Sequence, residues 1–188
     1  MKKMKKTITT ILFSIFCFTM TFAQDIKNDA KVKETKMEAF ASKTGTIIKF
    51  VDYKLSNLKL TSGRIAETRI RKLTIIGETH YFYQITKSGE YGDKTASIEY
   101  SDLLEIIKAL TTLKSEVEKD LIDNPNYLEN KFVTEDGFQL GYYISDGKSK
   151  WYMKLEKYGT DNTIFINDVI TIENALVEAK NIIEEIKK

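Results

Sequence analysis

Two stretches of the chain, Ser101–Lys119 and Asn167–Lys187, carry apolar residues every third or fourth position. Leu103, Ile106, Leu110, Leu113 and Val117 form one stripe; Val169, Ile172, Leu176, Ala179 and Ile183 form the other. That spacing is the signature of an amphipathic helix with one face toward a core. The two stripes coincide when the chain is shifted by 66 positions, and Asp102, Ala109, Lys114 and Glu118 then meet identical residues at Asp168, Ala175, Lys180 and Glu184. Each stretch opens on a pair able to cap, Ser101-Asp102 and Asn167-Asp168, whose oxygens can accept from the unpaired amides of a first turn. Burying one large aliphatic side chain is worth roughly 1.5–3 kcal/mol. Neither helix would hold alone, so each requires a partner layer. Fewer than three heptads are too short to favour a coiled-coil seam.

Elsewhere the period drops to two. From Thr46, the residues Ile47, Val51, Tyr53 and Leu55 mark a first strand, and Asn57 and Ser62-Gly63 are loop signals. Ile65–Ile76 and Thr79–Lys87 follow across a Gly77-Glu78 turn, and Thr95–Tyr100 feeds the first helix. Pro125, the only proline, sits in Asp-Asn-Pro-Asn and disfavours helix before it, so it ends the first half. Lys131–Glu135 and Phe138–Ser145 then flank Asp136-Gly137, a hairpin turn signal. Asp146-Gly147 leads into Lys150–Tyr158, and Thr163–Ile166 runs into the second helix. The expectation is an α+β fold built from a duplicated ββββα unit, with half-repeats at residues 44–122 and 128–188. One antiparallel sheet would carry both long helices on one face and leave its reverse open to water. Residues 44–188 form the single domain of this reading.

The N-terminus changes the interpretation of composition and charge. Lys2, Lys3, Lys5 and Lys6 precede an apolar run centred on Ile11–Phe18, and Thr21-Phe22-Ala23 supplies small residues at −3 and −1. This pattern predicts a secretory signal peptide over residues 1–23, cleaved after Ala23. The run falls short of the ~20 residues a membrane span needs, and Phe16 before Cys17 disfavours a lipoprotein signal. Removal leaves 165 of the 188 residues. Four of 29 basic residues go and all 27 acidic ones stay, so 25 − 27 gives a net charge of −2 in place of +2. No nucleic-acid partner and no membrane span are then expected for the mature chain. The single cysteine leaves with the signal, which excludes disulfides and thiol chemistry from the exported part. Residues 24–43, rich in Lys and Glu, read as a flexible lead with one or two helical turns near Met37–Ala41.

Candidate chemistry is sparse. His80, the sole histidine, has no nucleophile or oxyanion donor nominated beside it. A zinc site would have to join it to carboxylates alone. Gly147-Lys148-Ser149 lacks the earlier glycine of a phosphate loop, since Tyr142 stands there, and it joins two strands. Asp123-Asn124 and Asp161-Asn162 lack the ligand pattern of a calcium loop and read as turns. No catalytic residue, metal ligand or cofactor is therefore assigned. Carboxylates able to act as a pair remain available: Glu67, Glu78, Glu135 and Asp136 lie on predicted strands or turns. Ten Tyr, ten Phe and one Trp are the larger feature. Alternation sets Tyr83, Tyr142 and Trp151 against Phe82, Tyr143 and Tyr152, on opposite sheet faces. If the first set fills the core, Phe82, Tyr143 and Tyr152 lie on the open face, where amphipathic rings can grip an envelope protein or polymer. The sequence thus points to a non-catalytic binding or structural module, periplasmic or extracellular. A carboxylate-dependent extracytoplasmic hydrolase is the alternative.

Overall fold

The computed structural model describes residues 34–188 apart from Tyr91 and Asn124. The predicted signal peptide and the lead as far as residue 33 lie outside the described residues. The elements are α1 (Lys36–Ala41), β1 (Ile48–Lys54), β2 (Leu58–Lys59), β3 (Ile65–Ile75), β4 (Glu78–Lys87), β5 (Lys94–Glu99) and α2 (Tyr100–Ile122), then β6 (Tyr127–Val133), β7 (Gln139–Ser145), β8 (Lys148–Lys154), β9 (Thr163–Ile166) and α3 (Val169–Ile186). The described residues form a mixed α+β fold with three helices and two antiparallel sheets. The first sheet runs β1-β3-β4-β5 with β2 also paired to β3, and the second runs β6-β7-β8-β9.

Where one sheet was expected the strands form two, and the first half has five strands in place of four because its first strand is broken. β1 pairs with β3 from Ile48↔Ile75 to Lys54↔Arg69; β2 resumes along the same side of β3 with Leu58↔Ala66 and Lys59↔Ile65. Just past β2, the Thr61 amide and hydroxyl both donate to the carbonyl of Phe165 in β9, at 2.9 and 2.8 Å. The two sheets meet at this seam.

One apolar core spans the seam. Leu103, Ile106, Leu110 and Leu113 of α2 and Ile172, Leu176, Ala179 and Ile183 of α3 are buried with Tyr83, Ile85 and Ile98 of the first sheet and Tyr142, Trp151 and Ile164 of the second. Helix α2 packs on β6, β7 and β8 as well as on β4 and β5, whereas α3 packs on β2, β3 and β9. Each long helix therefore touches both sheets. Lys114 donates across the pair to Glu173 at 2.7 Å. Among the described residues, no helix is long and apolar enough to cross a membrane.

The helix starts differ in one respect from the sequence expectation. Asp168 caps α3, accepting from the Thr171 amide at 2.8 Å. At α2 the cap is Glu99, accepting from the Ser101 amide at 2.6 Å, not the Ser101-Asp102 pair. With β5 running straight into the helix, Asp102 already stands in the first turn, and Lys36 Nζ donates to it at 2.5 Å.

That lysine belongs to α1, the described end of the expected flexible lead. Thr35 and Glu38 form a reciprocal capping box, each side chain accepting from the other's amide. Met37, Phe40 and Ala41 then pack with Ile48 on a second cluster of Leu73, Ile75 and Phe82, away from the long helices. Phe40 stacks on His80 with ring centroids 3.6 Å apart. The segment is a short cover, held further by the Lys36 amide donating to Asp136 at 2.9 Å.

Leu110 and Leu176 are both buried, so Leu110→Asp or Leu176→Asp places an unpaired charge in the shared core. Each is expected to lower unfolding free energy by roughly 3–5 kcal/mol, read by urea or thermal melts. An unchanged melting temperature in either variant would refute the packing of that helix. Phe40→Ala, at a half-buried ring, is expected to cost roughly 1–2 kcal/mol.

Candidate functional site

On the second sheet, alternation sends Leu140, Tyr142 and Ile144 of β7 to the core and Tyr143 to the outside. The register places Glu129, Tyr143 and Lys150 side by side, with Lys131, Gly141, Tyr152 and Phe165 in the next row. Gly141 is required there. A Cβ would lie 2.3 Å from the Asn130 carbonyl oxygen and 2.7 Å from Lys131 Cβ. Over this bare position the Tyr152 side chain spans from β8 to β6, where its hydroxyl donates to Glu129 at 2.6 Å. Lys131 donates to the same carboxylate at 2.9 Å. These two donors hold the Glu129 carboxyl below the ordinary carboxylate range; burial first, then Glu129, raises the Tyr152 hydroxyl.

Tyr143 is the centre of an aromatic cluster. Its ring lies 6.2 Å from Tyr127, 6.5 Å from Tyr152 and 6.3 Å from Phe165, and the Phe165 contact is edge-to-face. Lys150 Nζ stands 5.6 Å over the Tyr143 ring. Tyr127 is 64 % exposed and Phe165 40 % exposed. The cluster is thus rooted in the sheet through Tyr152 and open to solvent through Tyr127 and Phe165.

The three residues nominated from sequence separate accordingly. Phe82 does lie opposite Tyr83, but α1 covers it and its exposure is 0 %. It drops out of the surface. Tyr152 is 5 % exposed and acts as the foundation of the cluster, while Tyr143 is half-buried at its centre. Tyr127 and Phe165 were missed. Tyr127 lay between the Pro125 turn and the strand expected from Lys131, yet β6 begins there, four residues earlier. Phe165 carried a usable signal, since it stands out of phase with Ile164 and Ile166 in a four-residue strand.

A cleft of about 320 Å³ opens on the first sheet beside the break between β1 and β2, lined in part by Asp52, Lys54, Asn57, Glu67 and Arg69. Glu67, nominated from sequence, shares this cleft with Asp52, which was not. Arg71 takes both Asp52 oxygens, each at 2.7 Å, and holds that carboxyl below its usual range. Such a carboxylate has no proton to donate near neutral pH. Among the other nominated acids, Asp136 is raised by burial while accepting from the Lys36 amide, and Glu78 pairs with Lys43 at 3.2 Å. His80 Nε2 is 3.7 Å from Glu78, and the ring is fixed under Phe40. Among the described residues, no group of three metal-ligating side chains is placed to hold an ion.

A carboxyl whose folded pKa is depressed stabilises the fold above its unfolded value, and that contribution fades as pH falls through the folded value. For Asp52 the loss begins near about pH 4 and continues below it. Asp52→Asn is expected to lower the melting temperature at pH 7, with the difference from the native protein closing as pH falls below about 4. Equal melting temperatures of variant and native protein at pH 7 would show that the Asp52–Arg71 pair contributes nothing.

No family model matches the chain, and no curated protein or solved structure matches it.

Proposed function

We propose that this protein is an exported, non-catalytic binding or structural module of the cell envelope or extracellular space, and that its contact surface is the outer face of β6–β9. The carrying observation is the Tyr127–Tyr143–Tyr152–Phe165 cluster, which no described element covers although the corresponding face of the first sheet is covered by α1. Tyrosine at a solvated face offers apolar area and a polar tip together, the combination that contact surfaces favour. The partner is an envelope protein or polymer. Export rests on the cationic and apolar pattern of residues 1–23.

The same proposal includes an origin by duplication of a ββββα unit. Its support is the agreement between α2 and α3 in buried register at an offset of 66 residues, each helix following directly on a strand that lines the common core. Binding is preferred to hydrolysis because Asp52, the better-placed acid of the cleft, is committed to Arg71.

Full-length protein expressed in its host tests both parts. Fractionation with N-terminal sequencing should recover a chain beginning at Gln24 outside the cytoplasm. The Tyr127→Ala/Phe165→Ala double variant should keep its melting temperature and lose roughly tenfold or more in association with isolated envelope material, since ~1.4 kcal/mol is a factor of ten. Equal association of variant and native protein would remove the proposed surface.

A further inference from the structure

The interruption between β1 and β2 is built rather than merely tolerated. Glu178 of α3 accepts from both the Ser56 amide and hydroxyl, at 3.2 and 3.0 Å. Thr68 in β3 donates its hydroxyl to the Ser56 carbonyl at 2.8 Å and accepts the Leu55 amide on its own carbonyl at 3.0 Å. Two elements, α3 and β3, therefore fix a segment that leaves the sheet, and the cleft lies beside it. Breaks of this kind commonly re-aim side chains next to binding sites.

The charges around the cleft divide into committed and uncommitted groups. Asp52 is committed to Arg71. Arg69 donates through Nε to Gln84 at 2.7 Å and stands 3.6 Å from Asp52, so its outer guanidinium nitrogens remain available. Lys54 and Glu67 line the same cleft, and their side chains have no hydrogen bond or ion pair among the described residues. Lys54 is the register partner of Arg69, so two cations stand together on one row. Glu67 stands two residues from Arg69 on the same strand, and Thr86 is its partner. Two residues along a strand span ~6.7 Å.

A ligand carrying only anionic charge would meet Lys54 and Arg69 favourably and Glu67 unfavourably; a simple cation would meet the reverse. A molecule with both signs satisfies all three. The backbone positions that carry the opposite charges, Glu67 and Arg69, stand one such two-residue step apart. A free amino acid is shorter than this, whereas an extended dipeptide spans ~7 Å between termini. The cleft volume is at the lower end of the range for small-ligand pockets. From these points we infer that the cleft beside the β1–β2 break binds short peptides with free termini, the C-terminal carboxylate on Arg69 and Lys54 and the N-terminal ammonium on Glu67. The inference is independent of the outer face of the second sheet.

Isothermal titration calorimetry on the purified protein tests it, with alanyl-alanine, alanyl-alaninamide, N-acetyl-alanyl-alanine and inorganic phosphate as probes. The free dipeptide should bind, each blocked form should bind at least tenfold more weakly, and phosphate should not compete. In Arg69→Gln the free acid and the amide should bind alike; in Glu67→Gln the free and acetylated amines should bind alike. This crossed pattern is one that a general loss of folding does not produce. If Arg69→Gln fails to fold, Lys54→Gln carries the same test with a smaller loss for the free acid. Absence of binding by the free dipeptide at millimolar concentration overturns the inference. So do equal binding of blocked and free dipeptides by the native protein, and competition by phosphate. The Tyr127→Ala/Phe165→Ala variant should bind the dipeptide as the native protein does, which separates this site from the envelope contact.

Discussion

A single apolar layer shared by two helices and two sheets is the constraint from which the other features follow. Helix α2 continues directly from β5 yet packs mainly over β6–β8, and α3 continues from β9 yet packs over β2 and β3. Each helix thus lies partly on the sheet that its own chain segment did not build. Neither half can bury its stripe without the other, because the surface each helix needs is supplied across the seam. The Thr61–Phe165 bonds hold the sheets where that exchange occurs. Cooperative folding of residues from both halves is the physical consequence.

The shared core also explains why the two outer faces diverge. On the first sheet, Leu73, Ile75 and Phe82 place apolar area on the side away from the long helices, and α1 supplies a third layer there. At the margin of α1 the same face turns polar: Gln84, whose amide reaches Met37 Sδ at 3.3 Å, accepts from Arg69, and Arg71 donates to Asp52. On the second sheet no described element plays the part of α1. Its aromatic rings pack on each other, with the Tyr152 hydroxyl on Glu129 and with Tyr127 and Phe165 exposed.

The helices were legible in the sequence because a stripe of period 3.6 repeats over about four turns and its burial follows from geometry alone. The inward set of aromatics, Tyr83, Tyr142 and Trp151, was legible for the same reason at period two. What sequence pattern could not supply was the second covering layer. The apolar residues of Lys36–Ala41 are too few to show periodicity, and their partners stand more than thirty residues away on β3 and β4. Phe82 was therefore assigned to an open face that α1 covers. The β1–β2 break was equally hidden, since Glu178 and Thr68 hold it through contacts distant in sequence. Tyr127 was lost to the local weight of Pro125, which marks a turn without marking where the following strand begins.

The aromatic cluster is more than a way of filling the sheet. Cross-strand rings stabilise a sheet even where no partner exists, and the Tyr143–Tyr152 contact with Glu129 beneath it meets that need. Tyr127 adds little to it: the ring is mostly exposed, at the first residue of an edge strand, and touches one neighbour ring at 6.2 Å. A small polar residue there would leave the sheet's hydrogen bonds intact and remove apolar area from water. Phe165 poses the same question beside the seam, where its carbonyl, not its ring, joins the two sheets. The stabilising share of the cluster therefore ends at Tyr143 and Tyr152. The exposed remainder, on a rigid base with Lys150 and Lys131 around it, is apolar area that folding alone does not require.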